Sequence, residues 1–376
     1  MCKDNFLNSE KLSTFLAPVI AQCDLWNGKK IVVLYVVNPA AGGFTQEKKA
    51  KQNYLALEKC YTACKDKLVK TEIAATHIYE TKKKGHGKER ISLILEKVVQ
   101  DETQEFLLIT AGGDGTGLEI QTALFHAAKK SEKVREALEK RLTLLRLPLG
   151  TGNDGTDGKT IEESLERLLQ PAYFALQPAV SVYGQNNKDA PWYAFNIASI
   201  GIDAFITHMT NVSHKFMPGD FYKIWLDLAC LFYEFKYPCG KAKIALFDEK
   251  GTEYCQLEEK ILFCLLGVSG YRKYGSGQYI LPNDENFSLA KKMSLFHKMF
   301  LKGKIKSGKH YFSDKLIFKK AQKICIDYNK TILVQMDGEV HELNKSDFPI
   351  TMEKTEPIIR IIQNESQTID KGAIRI

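Results

Sequence analysis

Three short segments of the chain combine glycine with hydroxyl and carboxylate side chains in an order that suits phosphate binding. Glycines let the backbone approach a phosphate, and the N–H groups at the start of a following helix attract its negative charge. Thr116 and Thr151 can add hydroxyl donors, whereas Asp114 and Asp154 would repel a phosphate unless a cation such as Mg²⁺ lay between them. The segments are Asn38-Pro39-Ala40-Ala41-Gly42-Gly43, Gly112-Gly113-Asp114-Gly115-Thr116 and Pro148-Leu149-Gly150-Thr151-Gly152-Asn153-Asp154.

Two familiar nucleotide-binding spacings do not account for these segments. The run from Gly113 to Gly117 lacks the G-x-G-x-x-G spacing of a dinucleotide fold. Gly158-Lys159-Thr160 resembles the end of a P-loop, but Asn153 stands where the first glycine should be. A single Gly-Gly-x-Gly is often only a tight turn, whereas three such loops at one edge of a sheet are hard to explain as turns. The sequence therefore predicts a nucleotide site of another kind.

Each of these segments follows a predicted β-strand. Residues 31–37 form a continuous apolar run, which is typical of a strand buried on both faces of a parallel sheet. Further strands are predicted at 72–80, 106–111 and 142–147, and helices at about 86–99, 117–129 and 160–169. Another helix should follow the first strand, because five residues recur on one face: Tyr54, Leu57, Tyr61, Cys64 and Leu68.

This alternation predicts a doubly wound, Rossmann-like α/β domain over residues 28–171. The loops after its strands should share one crevice, where ligands bind in such folds. From residue 172 to 344 short strand-like segments follow one another, which predicts a mostly β domain, a sandwich. A helix at about 216–235 interrupts that domain, and Tyr222, Trp225 and Phe232 lie along one side of it. Core packing is the favoured interpretation of that stripe.

The composition places the chain among globular proteins. Its 376 residues favour two domains, and it is 44% apolar and 26% charged. We find neither an apolar run of 18 residues nor a secretory pattern at the N-terminus, so the expected location is cytoplasmic. The nine cysteines lack metal-ligand spacing and are interpreted as reduced thiols.

The three segments together resemble the signature of the diacylglycerol kinase catalytic domain, whose superfamily includes sphingosine, ceramide and bacterial lipid kinases. The run from Leu147 to Asp154 is the most particular to this lipid-kinase branch, since Gly-Gly-Asp-Gly also occurs in NAD kinases and phosphofructokinases. Thr81 before Gly85-His86, the segment 196–204 and Gln335-Met336-Asp337-Gly338-Glu339 resemble further family motifs. The similarity spans roughly residues 31–362. It implies an ATP-dependent lipid kinase with a nucleotide between its domains, and a C-terminal strand, 345–363, that returns to the first domain.

The resemblance also implies roles for individual residues. A phosphate clamp is expected from Gly112, Gly113, Gly115 and Thr116, and Mg²⁺ ligands from Asp114 and Asp154. Glu339 is the expected general base, although Asp337-Gly338 also predicts a hairpin turn with Glu339 merely exposed after it. Asp203 is expected to orient the acceptor or a water, and Asp114 is a rival base. The remaining nucleotide contacts are expected from Asn38, Pro39, Ala40, Ala41, Gly42, Thr81, Thr151 and Asn153.

Three positions depart from the family pattern. Leu118 stands where an asparagine is usual, and Gly155-Thr156-Asp157 replaces Phe-Ala-Arg, which removes one ring and one cation. Asp284-Glu285-Asn286 is the nearest match to the segment that holds a structural Mg²⁺ in bacterial members, but it has no glycine. The sequence therefore does not predict that this metal site is intact.

Positive charge is concentrated in residues 291–330, which contain twelve lysines and two aspartates. Such a stretch suits an anionic membrane surface at the inner face of a membrane, or is simply a solvated face. Nucleic-acid binding is disfavoured, because aromatic residues are not regularly interleaved with the lysines. The acceptor stays open among diacylglycerol and sphingoid or ceramide-like lipids. A kinase of a soluble acceptor such as NAD, or a non-catalytic regulator, are the alternatives, and a homodimer is an expectation by analogy only.

Overall fold

The structure is a computed structural model that describes residues 7–150, 153, 155–214, 222–274, 277–364 and 372–376. The chain divides into two compact units. The first unit comprises Met1–Gln177 and Pro357–Ile376, and the second comprises Pro178–Glu356. The chain therefore passes from one unit to the other twice.

The first unit opens with alternating strands and helices. Its long apolar runs become strands, and the amphipathic segments between them become helices. The strands are β1 (Lys30–Val37), β2 (Glu72–Glu80), β3 (Glu105–Gly112), β4 (Leu142–Pro148) and β5 (Ala172–Gln177). The helices are α1 (Ser9–Ile20), α2 (Gly42–Thr45), α3 (Glu47–Cys64), α4 (His86–Gln100), α5 (Asp114–Lys130), α6 (Glu132–Lys140) and α7 (Ile161–Leu169).

The second unit is rich in antiparallel strands, and its described residues include three α-helices. The strands are β6 (Val180–Tyr183), β7 (Trp192–Ala194), β8 (Ile197–Gly201), β9 (Lys241–Phe247), β10 (Glu253–Gly267), β11 (Arg272–Tyr274), β12 (Gln278–Leu281), β13 (Phe287–Lys291), β14 (Leu316–Lys319), β15 (Lys323–Tyr328), β16 (Ile332–Met336), β17 (Glu339–Leu343) and β18 (Ile350–Lys354). The helices are α8 (Ile202–His214), α9 (Tyr222–Lys236) and α10 (Leu295–Ile305).

Two last strands, β19 (Ile359–Asn364) and β20 (Ile374–Arg375), belong to the first unit. Its sheet runs β2-β1-β3-β4-β19-β5-β20. The pairs β1–β2, β1–β3, β3–β4 and β4–β19 are parallel, whereas β5 is antiparallel to β19. Helices and a mixed sheet in one unit, with antiparallel strands in the other, confirm the predicted fold class of an α/β unit followed by a β-rich one.

Most described strands of the second unit form one sheet with the order β17-β16-β8-β10-β9-β15-β18-β6-β7, to which β13 and β14 are attached, whereas β11 and β12 pair separately. Within this path the 15-residue strand β10 pairs with β9 along its first half and with β8 and β13 along its second. One buried apolar cluster includes residues from both halves of that path, among them Ile244, Leu266 and Met336. The short strands seen in the sequence thus build a common core.

Several details differ from the sequence-based expectations. Leu68 was expected on the buried face of the helix that follows the first strand. That helix, α3, ends at Cys64, and Leu68 is 87% exposed. Helices α8 and α10 were not predicted. The helix expected over 216–235 is described from residue 222 onward, and 215–221 lie outside the described residues. The unit boundary falls after Gln177 rather than after residue 171, because β5 pairs with β19.

Candidate active site

The three glycine-rich segments of the first unit meet at one edge of its sheet. They follow the carboxyl ends of β1, β3 and β4, and these parallel neighbours end side by side. Backbone hydrogen bonds join the segments directly. The Leu149 N–H donates to the Gly112 oxygen at 3.1 Å, and the Gly43 N–H donates to the Leu149 oxygen at 2.8 Å. The three loops therefore form one backbone surface.

Glycine is required where these loops cross. A Cβ added to Gly150 would lie 2.4 Å from the Cα of Gly113, and a Cβ added to Gly43 would lie 2.7 Å from the Leu149 oxygen. Gly112 is equally confined, since its Cβ would lie 2.8 Å from the Thr116 side chain. A Cβ on Gly115 would instead meet no atom within 4 Å. The glycines at the crossing serve packing, and Gly115 borders open space.

Helix α5 begins at this crossing with Asp114, after the N-cap residue Gly113. Gly113 has no side chain to cap the first turn, so the N–H groups there suit an anion. The Asn38 Nδ2 donates to Thr116 Oγ1 at 3.2 Å, and the Ala40 N–H donates to Asn38 Oδ1 at 3.1 Å. The structure thus brings the first and second predicted phosphate segments together. Pro39 and Ala41 lie in the same loop, and Gly42 begins α2.

Asn153 shapes the loop after β4. It adopts a positive φ of 59°, accepts the Gly150 N–H on Oδ1 at 2.9 Å and donates from Nδ2 to the Pro148 oxygen at 3.2 Å. These bonds engage its side chain with its own loop rather than leaving it as a simple nucleotide contact. Thr151 and Asp154, expected to bind nucleotide and metal, lie outside the described residues.

Asp157 anchors the other end of that loop. Its carboxylate accepts from the Arg146 backbone N–H and Nη2, both at 2.6 Å, and the Arg167 Nε donates to its backbone oxygen at 2.7 Å. Burial alone would raise the pKa of this carboxyl, but Arg146 and Arg167 outweigh it and hold the pKa below its usual value. The departure from the family pattern at this position therefore has a structural consequence, a buried ion pair between the loop and β4.

Hydrogen bonds at the same edge of the sheet hold Thr81 and the start of α4. Thr81 follows β2, and its N–H donates to the Val37 oxygen at the end of β1 at 2.8 Å. Glu119 of α5 accepts the N–H groups of Gly85, at 3.3 Å, and Lys88, at 3.1 Å, so it caps the start of α4. No local sequence signal predicted this role of Glu119, because its partners lie more than 30 residues away.

Asp203 of the second unit is buried at the start of α8. Its Oδ2 accepts from Ser199 Oγ at 2.6 Å and from Gln335 Nε2 at 3.1 Å. Gln335 Oε1 accepts in turn from the Tyr274 hydroxyl and from the Gly338 N–H, both at 3.1 Å. This hydrogen-bond chain connects Asp203 to the turn that directly precedes Glu339. Ser199, Tyr274 and Gln335 were missed as site residues, although Gln335 lies within the quoted motif.

The turn before Glu339 is also held by Asp337. Its buried carboxylate accepts the N–H groups of Phe195, Asn196 and Ile197, the last at 2.9 Å. Burial raises the pKa of Asp337 to about 6, against the opposing effect of these donors. Glu339 itself begins β17, paired with Met336, and is half-buried. The predicted hairpin is present, and two separate networks fix its position.

Asp114 is placed where it could bind Mg²⁺ together with the phosphates of a nucleotide. One of its oxygens accepts the Gly155 N–H at 2.9 Å, so the carboxylate stands where the second and third loops meet. Within the described part of the chain, no three His, Cys, Asp or Glu side chains form a metal-binding group. One carboxylate with nucleotide phosphates as the other ligands is a usual Mg²⁺ arrangement. In the segment Asp284-Glu285-Asn286, where the sequence did not predict an intact metal site, Asn286 bonds to the backbone of Gly267 and Ala321.

Comparison with known proteins gives matches to kinases. Residues 32–173 match the family described as the diacylglycerol kinase catalytic domain. A stretch of 103 residues is 39% identical to the "Probable lipid kinase YegS-like" of Enterobacter sp. (strain 638), and it covers 27% of this chain and 30% of that protein. The whole-chain activity is therefore not transferred from that relative.

Two solved structures share the fold over most of the chain. A structure titled as a putative diacylglycerol kinase from Bacillus anthracis str. Sterne aligns with a TM-score of 0.57 at 19% identity, over 90% of this chain and 98% of that one. A second structure with a similar title aligns with a TM-score of 0.56 at 20% identity, over 92% and 97%. At identities this low, the two alignments show that the fold is similar and nothing about the activity. The family match, by contrast, covers all three glycine loops, so the part of the chain that is similar to the diacylglycerol kinase catalytic domain, residues 32–173, is the part that carries them.

Proposed function

We propose that this protein is an ATP-dependent lipid kinase that transfers the γ-phosphate to the hydroxyl of a membrane lipid. The observation that carries the proposal is the joining of three glycine loops into one backbone surface at the start of α5, within the family's catalytic domain. Phosphoryl transfer depends mainly on positioning and on neutralising charge, and such a surface supplies both. Diacylglycerol and sphingoid or ceramide-like lipids are the acceptor classes to test.

In this proposal the first unit binds the nucleotide. The uncapped first turn of α5, with Thr116 and Asn38, holds the phosphates, and Asp114 holds Mg²⁺. Mg²⁺, when bound, neutralises charge that builds up on the phosphates. The second unit supplies Glu339 as the acceptor of the hydroxyl proton. Asp203 acts as a positioning residue, because it is connected to the Glu339 turn through Gln335.

The test is transfer of label from γ-labelled ATP with Mg²⁺ to mixed micelles that each contain one lipid alcohol. We expect label in an organic-extractable phospholipid with one acceptor class. Glu339→Gln should lower kcat by roughly 10²–10⁴ with little change in ATP affinity, as loss of a general base does. Asp114→Asn should weaken Mg²⁺-dependent ATP binding. Glu253→Gln, an exposed carboxylate of the same unit, is the matched control and should retain full activity.

Two outcomes would contradict the proposal. Label that appears only in a soluble product, such as phosphorylated NAD, would assign the site to a soluble acceptor. ATP binding without turnover of any acceptor would favour a non-catalytic regulator. Full activity of Glu339→Gln would leave the kinase standing but would remove Glu339 as the base in favour of Asp114.

A further inference from the structure

An exposed apolar surface lies on the second unit, where α10 contacts both α9 and the 3₁₀ turn Lys309–Phe312. Three of its rings are almost fully in water: Phe235, Phe296 and Phe312 are 84%, 79% and 84% exposed. Contiguous exposed apolar groups of this kind mark interaction sites. We call it the aromatic surface, and its members are Leu231, Phe232, Phe235, Leu295, Phe296, Met299, Phe300 and Phe312.

Helix α10 differs from an ordinary surface helix, because it buries a lysine and exposes several large apolar side chains. Lys298 is buried, and its Nζ lies 2.5 Å from Glu234 of α9. Lys302 likewise pairs with Asp227 of α9. The rings of Phe296 and Phe300 face solvent instead. In a helix that buries a lysine by ion pairing and exposes phenylalanines, the exposed apolar side chains are available to bind a partner outside the unit.

The exposed rows of α9 and α10 lie on the same side of the pair. The two ion pairs join the helices in reverse order of sequence, so the helices run antiparallel. Leu231 and Phe235 each directly follow a residue of α9 that contacts Lys298, and Met299 directly follows Lys298 itself. One residue further along a helix is a rotation of about 100°. In two antiparallel right-handed helices, the residues that directly follow the contact residues therefore point to the same side of the pair. Leu231, Phe235 and Met299 therefore lie on one side of the helix pair, and Phe296 and Phe300 extend the exposed apolar area around α10.

Positive charge lies beside this face. Lys298 and Lys302 are paired with acids of α9, but three further lysines follow in the sequence, Lys304, Lys306 and Lys309. Lys304 Nζ lies 4.3 Å from the centroid of the Phe300 ring, and Lys306 and Lys309 are exposed beside the turn that bears Phe312. A second copy of the chain would bring the same positive charge to the contact, which disfavours self-association. An anionic bilayer offers both an apolar interior and negative headgroups.

We propose that the aromatic surface docks the protein on an anionic lipid bilayer, with its phenylalanines in the interface and the neighbouring lysines at the lipid phosphates. This inference deepens the proposed function, on which it rests for its lipid acceptor. Docking itself involves neither ATP nor phosphoryl transfer, so it can be measured separately. The residues lie in the second unit, outside the matched catalytic domain at 32–173.

The test is flotation of the full chain, without ATP, with vesicles of phosphatidylcholine alone or with added phosphatidylglycerol. We expect binding to the anionic vesicles that weakens as salt is raised. The double variant Phe296→Ser, Phe300→Ser should bind at least about 30-fold more weakly, because two rings lose their burial in the interface. Leu68→Ser with Val69→Ser, exposed apolar residues of the first unit, is the matched control and should bind like the wild type. Circular dichroism and thermal unfolding check that each variant folds.

Equal binding of the Phe296, Phe300 variant and the wild type would overturn the docking proposal, as would equal binding to neutral and anionic vesicles. A wild type that binds no vesicle, but forms a dimer that the variant cannot form, would assign the surface to a second copy and overturn it too. Vesicle binding in the expected pattern without kinase activity would support docking while the proposed function failed. Phosphorylation of a short-chain acceptor dissolved in buffer, without vesicle binding, would support the proposed function and overturn the docking proposal.

Discussion

Asp157 shows how one substitution within a recognised pattern is accommodated. The resemblance places an arginine at this position, whose loss was expected to alter nucleotide or substrate contacts. The structure instead buries the aspartate between Arg146 of β4 and Arg167 of α7. Arg146 also donates to Gln121 of α5 and Gln177 of β5, at 3.0 and 3.2 Å. The residue thus ties the phosphate loop to the sheet.

Asp157→Asn should destabilise the first unit by about 3–5 kcal/mol, because it leaves the buried Arg146 and the half-buried Arg167 without their counter-charge. Urea unfolding at pH 7 measures the change. Glu136→Gln is the control, since its ion pair with Lys140 lies on the exposed surface, and it should leave the unfolding midpoint unchanged. An equally small effect of both substitutions would show that the Asp157 ion pair does not stabilise the fold.

The same carboxylate makes a pH dependence predictable. Its pKa is lower in the folded chain than in the unfolded one, so its stabilising effect is complete above the unfolded value and is lost as pH falls through the folded value. The difference between the wild type and Asp157→Asn should therefore shrink below about pH 4. A difference that grew on acidification would contradict this assignment of the ionised form.

At the scale of elements, the crossing of two loops distinguishes glycines that pack from glycines that face open space. Gly150 lies against Gly113, and both belong to loops that follow neighbouring strands. Gly115 lies in the first turn of α5 with room around it. The two positions therefore allow the structural and the ligand-binding roles of the motif to be separated by substitution.

Gly150→Ala should lower stability by about 1–3 kcal/mol, because its Cβ would overlap the Gly113 backbone. Gly115→Ala should keep or slightly raise the thermal midpoint, since alanine favours helix, yet weaken ATP binding at least about tenfold by filling the space next to the phosphates. Thermal unfolding and ATP titration measure both. Unchanged ATP affinity in Gly115→Ala would place the phosphates elsewhere.

Sequence patterns predicted those elements whose own residues determine them. The apolar runs at β1, β3 and β4 and the glycine loops after them were recognisable, because a strand covered on both faces admits few polar residues. Helix α10 was missed because four of its apolar residues are exposed, while Lys298 is buried together with Leu301. The exposed ones are Leu295, Phe296, Met299 and Phe300. The Asp203 network was missed because Tyr274 and Gln335 lie far from Asp203 in the sequence and are brought to it only by the fold, although Ser199 is four residues away. Long-range contacts of this kind leave no local periodicity.

For the molecule as a whole, the first unit is made of two separate pieces of chain. Strand β19 lies between β4 and β5, so the sheet is complete only when this late segment is in place. Arg360 of β19 donates to Thr143 Oγ1 at 2.8 Å and pairs with Glu105 of β3. Its guanidinium also stacks 4.4 Å from the Phe174 ring of β5. The late segment therefore contributes buried polar contacts as well as a strand.

A chain that ends after Glu356 should lose the cooperative unfolding of the first unit and its ATP binding, although every glycine loop remains in it. Removing β19 exposes one edge of β4 and leaves β5 without its partner. Circular dichroism and ATP-dependent thermal shift measure the loss. A chain that ends after Asn364 keeps β19 and is the control. Full ATP binding by the shorter chain would show that the first unit folds without this strand.

The position of β19 also has a consequence for synthesis. A ribosome makes β1 to β5 first, then all of the second unit, and only afterwards residues 359–364. Domains usually fold in the order in which they emerge, but here the unit that starts first is finished last. The second unit can reach its final fold on the ribosome before the sheet of the first unit receives β19, one of its interior strands. If the first unit binds nucleotide as proposed, a nascent chain would be unable to capture it until the β-rich unit had been completed.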